Sequence, residues 1–143
     1  MRPHKQILLF GDDLAECSAF SFIAKNRLHV RFTIVGSADD FKREARSNWH
    51  SYHLAILIHK KNDKLIHSLS NAAFCGSELK LLIVSKKRDF VSEIADKVLT
   101  SFDGTAEVHR NIMLMCARNR GRKKRMMRVE SVKDVALEAA HAC

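Results

Sequence analysis

The chain has 143 residues, of which 46% are hydrophobic and 29% charged, and its formal net charge is +9. This length fits one domain with a short appendage and is sufficient for a hydrophobic core. No apolar run approaches the ~20 residues of a membrane span, and no signal-peptide pattern opens the sequence, so we expect a cytoplasmic protein with no membrane partner.

The first half of the sequence predicts two strands, each followed by a helix. Within residues 6–10, residues 7–10 are uniformly apolar, which is typical of a strand buried on both faces. Apolar residues recur every three or four positions over 14–28 and predict an amphipathic helix. Residues 29–35 alternate between apolar and polar, which favours an edge strand, and a second helix follows over 38–49. The side chains expected to face the core from these helices are Leu14, Cys17, Phe20, Ile23, Ala24, Leu28, Phe41, Ala45 and Trp49.

The second half predicts three further pairs of strand and helix. Residues 54–58 are five consecutive apolar residues between two histidines, and they predict a third, central strand. A third helix is expected from Asn62 to near Gly76, followed by a fourth strand over 81–84. Phe90, Val91 and Ile94 predict a short fourth helix. A fifth strand over 98–100 and a last helix complete the series.

Five strands alternating with helices indicate a parallel sheet with helices on both faces. Strands one, three and four are uniformly apolar and therefore central, whereas strands two and five are half polar and suit the edges. The sequence thus predicts an α/β, flavodoxin-like (βα)5 doubly wound sheet with strand order 2-1-3-4-5. We assign residues 1–117 to this domain and residues 118–143 to a basic C-terminal tail with a short helix.

The order of elements, the acidic turn Gly11-Asp12-Asp13, the hydroxyl of Ser85 and the segment 95–100 together resemble the receiver domain of bacterial two-component response regulators. The resemblance covers about residues 4–120. In that family, two acidic residues after strand one hold Mg²⁺, and the aspartate that ends strand three is phosphorylated. Strand four ends in Ser or Thr, and strand five ends in Lys. The resemblance implies a module for bacterial signalling.

The positions that carry phosphorylation in that family are only partly kept. Glycine stands at position 11 in place of one acid, Ile58 stands at the phosphoacceptor position, and Ser101 replaces the lysine. Isoleucine accepts no phosphoryl group, and His59, one residue further, is expected on the other face of the strand. We therefore expect a pseudo-receiver without catalytic residues. It would act through contacts of its last two helices and strand-end loops with a protein partner or a second copy. The alternative is an atypical receiver that is still phosphorylated.

The candidate metal sites are weak. Asp12 and Asp13 could hold a cation, but we expect them to cap the first helix instead, with no Mg²⁺ or other cofactor. His50 and His53 share no regular face, which argues against a metal site. The spacing of residues along the sequence shows no serine, histidine and acid triad that includes Ser85, so we expect no nucleophilic catalysis there.

The tail carries a dense group of basic residues without an acid. Seven cations in 12 residues could bind the phosphates of DNA or RNA, which gives the alternative of a nucleic-acid-binding regulator. A solvated linker or helix end would have the same composition. The residues concerned are Arg118, Arg120, Arg122, Lys123, Lys124, Arg125 and Arg128.

Overall fold

The computed structural model of the chain describes residues 4–117. Its centre is one parallel sheet of five strands in the order β2-β1-β3-β4-β5. This confirms the predicted flavodoxin-like α/β arrangement and its strand order. The strands with uniformly apolar sequences occupy the three central positions, because helices cover both faces of the sheet there. The strands are β1 (Lys5–Gly11), β2 (Val30–Ile34), β3 (Leu54–His59), β4 (Leu81–Ser85) and β5 (Lys97–Thr100).

Four helices lie on the two faces of this sheet, together with two short 3-10 turns. One apolar layer joins the sheet to the second and third helices through Phe41, Ile66 and Phe74. The opposite layer joins it to the first and last helices through Cys17 and Ile112. The helices are α1 (Leu14–Lys25), α2 (Ala38–Ser47), α3 (Asp63–Phe74) and α4 (Thr105–Ala117), and the 3-10 turns are Trp49–Ser51 and Ser101–Asp103.

The fourth predicted helix is absent among the described residues, so the fold has four helices rather than five. Residues 86–96 connect β4 to β5 through turns and bends. The Ser92 hydroxyl accepts hydrogen bonds from the backbone N–H groups of Ile94 and Ala95, which competes with a helical backbone. The buried Phe90 ring packs against the rings of His59 and His67, at centroid distances of 4.3 and 5.0 Å. The apolar residues that predicted a helix therefore anchor an irregular segment.

The predicted inward stripe of α1 is partly wrong. Cys17 and Ala24 are buried, but Leu14 and Ile23 are 42% and 49% exposed. The helix also ends at Lys25, and the N–H of Leu28 bonds back to the carbonyl of Ala24. An apolar α1 surface thus remains outside the core. In the next helix, the prediction that Trp49 faces the core is also wrong, because α2 ends at Ser47.

The basic tail and its short helix, predicted over residues 118–143, lie outside the described residues. Over residues 4–117, no helix is long and apolar enough to cross a membrane.

Candidate functional site

The carboxyl ends of the central strands meet at one edge of the sheet, where the receiver-like positions were predicted. Gly11 pairs with Ile58, and Ile58 pairs with Val84 on the next strand. Ile58 is 4% exposed and lies within the apolar layer beneath α1 and α4. The predicted phosphoacceptor position is therefore part of the hydrophobic core.

Gly11 is held at this position by close packing against the neighbouring strand. A Cβ added to Gly11 would lie 2.5 Å from the Ile58 carbonyl oxygen and 2.9 Å from both Ile58 Cβ and Cys17 Sγ. Real Cβ atoms do not approach other atoms this closely. In this arrangement, no side chain fits at position 11 without a shift of its neighbours. The atoms of residue 58 that exclude it are the carbonyl oxygen and Cβ, which residues other than isoleucine also have.

Asp12 binds the backbone of the turn between β3 and α3. Its Oδ1 accepts a hydrogen bond from the N–H of Lys60 at 2.7 Å. Its Oδ2 accepts from the N–H groups of Lys61 and Asn62 at 2.8 and 2.7 Å. Burial raises the pKa of Asp12, but these backbone hydrogen bonds outweigh it and hold the pKa below the ordinary value. The expectation that Asp12 caps α1 is wrong, because its carboxylate reaches the neighbouring turn instead.

Asp13 caps the first helix, as the sequence predicted. Its carboxylate accepts hydrogen bonds from the N–H groups of Ala15 and Glu16 at 3.0 and 3.3 Å. The ammonium group of Lys60 lies 2.8 Å from the other oxygen, and this hydrogen bond lowers the pKa of Asp13. Within residues 4–117, no group of three His, Cys, Asp or Glu side chains is placed to hold a metal ion.

Ser85 belongs to a hydrogen-bonded set that the sequence analysis missed. Its Oγ lies 2.5 Å from Nδ1 of His59, and Nε2 of His59 lies 2.6 Å from Oδ1 of Asp63. The ammonium group of Lys87 bonds the other oxygen of Asp63 at 2.9 Å and is the main cause that lowers the pKa of Asp63. A serine, a histidine and a carboxylate are thus joined in series.

This set links the ends of β3 and β4 to the start of α3. The side chains of Ser85 and His59 are fully buried, and Ser85 Oγ also accepts the N–H of Lys87 at 2.9 Å. The pairing of His59 with Ser85 could have revealed this set, but predicting that pairing requires the register of β3 against β4.

His50, His53 and His67, the other histidines near the third strand in the sequence, have separate surroundings. His53 Nδ1 accepts the backbone N–H of Gln6 at 3.0 Å, and burial lowers its pKa. His50 is exposed on the turn Trp49–Ser51. His67 stacks on Phe90 from α3.

A cavity of about 330 Å³ opens between α1 and α4 at the edge where the strands end. Three of the predicted receiver-like positions line it, namely Ile58, Ser85 and Ser101. Gly11, Asp12 and Asp13 do not line this cavity. The structure therefore divides the predicted site into a turn fixed by two aspartates and a largely apolar cavity.

Comparison with known proteins identifies no family. No protein-family model matches the chain, and no curated protein matches it. Among solved structures, a 3-dehydroquinate dehydratase-like protein from Bifidobacterium longum is similar, with 12% sequence identity and a TM-score of 0.47. The likeness covers 80% of this chain and 96% of that one. Similarity at this level carries no argument about activity.

Proposed function

We propose that the chain is a receiver-like signalling module that acts independently of phosphorylation, through contacts with another protein or a second copy. The observation that carries this proposal is the buried Ile58 at the position of the phosphoacceptor. The strand order and the acidic turn after β1 support a receiver-like scaffold. Phosphoryl transfer needs an acceptor atom, and the isoleucine side chain at position 58 supplies no oxygen for it.

The surroundings of Ile58 also oppose a phosphoryl group. A phosphoryl group on the sheet edge needs a cation and a polar environment, because burying its charge without partners is very costly. Both oxygens of Asp12 are already bound by backbone N–H groups, which leaves little capacity for Mg²⁺. Ser101, at the position of the family's lysine, supplies no positive charge.

The surface near the strand ends supports a role in protein contacts. Val91, in the segment that replaces the predicted fourth helix, is 73% exposed, and Phe102 before α4 is 58% exposed. The guanidinium group of Arg88 lies over the Phe102 ring at 4.2 Å from its centroid, which is a cation–π contact. Exposed aromatic side chains and arginine are enriched at surfaces that bind other proteins.

The experiment is incubation of the full chain with Mg²⁺ and acetyl phosphate, followed by intact-mass analysis. A receiver domain with a complete set of acidic residues serves as the positive control in the same reaction. We expect the control to gain one labile phosphoryl group and this chain to gain none. A labile phosphoryl group on this chain would overturn the proposal and favour the atypical, phosphorylated receiver.

A further inference from the structure

The cavity between α1 and α4 combines apolar walls with a buried polar side chain, that of His109. Its walls come from both helices and from the ends of β3 and β4. Its volume of about 330 Å³ falls at the lower end of the range of pockets that hold small ligands. The apolar side chains that line it are Ala19, Phe20, Ile23, Ile58, Val84 and Val108.

The cavity explains the incomplete burial of α1. Phe20 and Ile23 belong to the predicted core stripe, yet they border the cavity, and Ile23 remains 49% exposed. In a closely packed fold, α4 would cover these side chains, because interiors of proteins leave few voids larger than a water molecule. The space between the two helices is therefore an apolar surface that the described residues do not fill.

His109 supplies the polar feature of this cavity. The residue lies on α4, lines the cavity and is only 8% exposed. Over residues 4–117, neither of its ring nitrogens has a hydrogen-bond partner. Buried polar groups normally have such a partner, and leaving one unsatisfied costs free energy. Burial, and then the charge of Arg27, lower the pKa of His109, so its ring is neutral at pH 7.

A neutral imidazole offers one donor and one acceptor, and a hydroxyl group can bond to either of them. The charged groups at the mouth leave little excess charge for an ionic ligand. Glu16 and Lys86 line the cavity with opposite charges, and their carboxylate and ammonium groups lie 3.4 Å apart. A neutral ligand therefore suits this cavity better than an anion.

We infer that the cavity is a binding site for a small, uncharged, mainly apolar compound that carries one hydroxyl group. Its apolar part would lie against the apolar walls, and its hydroxyl group would form a hydrogen bond with His109. This inference goes beyond the proposed protein contacts and does not depend on them. It gives three residues of the receiver-like edge, Ile58, Ser85 and Ser101, a place in a ligand site.

The test is titration of the full chain with 2-naphthol, observed through the methyl resonances of ¹³C-labelled protein. We expect saturable shifts of the Ile23, Ile58 and Val108 methyl groups. Naphthalene-2-carboxylate, of similar size but charged, should bind at least tenfold more weakly, because the apolar walls do not solvate its charge. Shifts that do not saturate, or tighter binding of the carboxylate, would overturn the inference.

Two variants of α1 locate the ligand. Ala19→Phe places a ring into the cavity from an exposed position, and we expect it to weaken 2-naphthol binding at least tenfold. Ala15→Phe makes the same change one turn earlier on α1, at an exposed residue outside the cavity, and should leave binding unchanged. Equal binding by wild type and Ala19→Phe would show that the ligand lies elsewhere and would refute the site.

The role of His109 has its own measurement. His109→Phe keeps a ring of similar size but removes the hydrogen bond, and we expect 2-naphthol to bind roughly fivefold more weakly. Naphthalene, which lacks the hydroxyl group, should bind wild type and His109→Phe equally well. A loss of the same size for both compounds would mean that His109 contributes packing only, and the assignment of a hydroxyl ligand would be wrong.

Discussion

Replacing Asp12 with alanine removes the acceptor for three backbone N–H groups of the turn between β3 and α3, those of Lys60, Lys61 and Asn62. A hydrogen bond to a charged group contributes about 1.5–3 kcal/mol, but this turn is exposed and water can replace part of the loss. We therefore expect Asp12→Ala to reduce the free energy of unfolding by about 2 kcal/mol. Asp12→Asn, which keeps one acceptor oxygen, should lose about half as much.

The comparison with Asp13 makes this expectation specific. Asp13 caps α1, so Asp13→Ala should cost about 1 kcal/mol, the usual loss for a helix cap. Urea unfolding followed by circular dichroism measures both variants, and an unchanged dependence on urea shows that the same transition is compared. If Asp12→Ala costs less than about 0.5 kcal/mol, or stabilises the protein, the carboxylate does not hold this turn.

The lowered pKa of Asp12 predicts how the difference in unfolding free energy between wild type and Asp12→Ala depends on pH. A carboxyl group with a lower pKa in the folded state stabilises the fold above its ordinary pKa of 3.8. This contribution is lost as the pH falls through the pKa of the folded state. The difference in unfolding free energy between wild type and Asp12→Ala should therefore be constant at neutral pH and shrink in acid. A difference that grows below pH 3.8 would contradict the assignment.

Two further changes test the sheet edge and the surface. Gly11→Ala should cost about 1–3 kcal/mol in urea unfolding, because its Cβ would overlap Ile58, whereas Gly36→Ala, with open space around it, should be neutral. Equal stability of the two variants would refute this steric argument. Val91→Ser combined with Phe102→Ser should weaken self-association roughly tenfold in sedimentation velocity, whereas Phe22→Ser on α1 should not. A wild-type chain that stays monomeric at every concentration would contradict self-association through this surface.

The sequence by itself was sufficient for the sheet and for most of the helices. Uniformly apolar runs marked the three central strands, and the alternation over 29–35 marked an edge strand, because burial on one or two faces leaves a direct pattern in the chain. Caps were also visible. Asp13 caps α1, and the Ser37 hydroxyl accepts the N–H of Asp40 at the start of α2. These features depend on residues that are close in sequence.

The sequence located the receiver-like positions, but it did not reveal which residues they contact. The sequence predicted Ile58 and His59 on opposite faces of β3. In the structure, Ile58 lies in the apolar layer beneath α1 and α4, whereas the His59 ring packs against Phe90 of the other layer. The sequence did not predict that Asp12 would bind the next turn. That contact joins residues 48 to 50 positions apart, and its geometry depends on how β1 and β3 pair.

Only the tertiary structure decided the features that give the sheet edge its character. The segment 86–96 contains enough apolar residues for a helix, yet it follows an irregular path in which Phe90 packs against the rings of His59 and His67. The link from Ser85 through His59 to Asp63 requires the register of β3 and β4. The cavity beside His109 depends on the distance between two helices. Periodicity along the chain reports which side of an element is apolar, but these features arise from packing between elements that are distant in sequence.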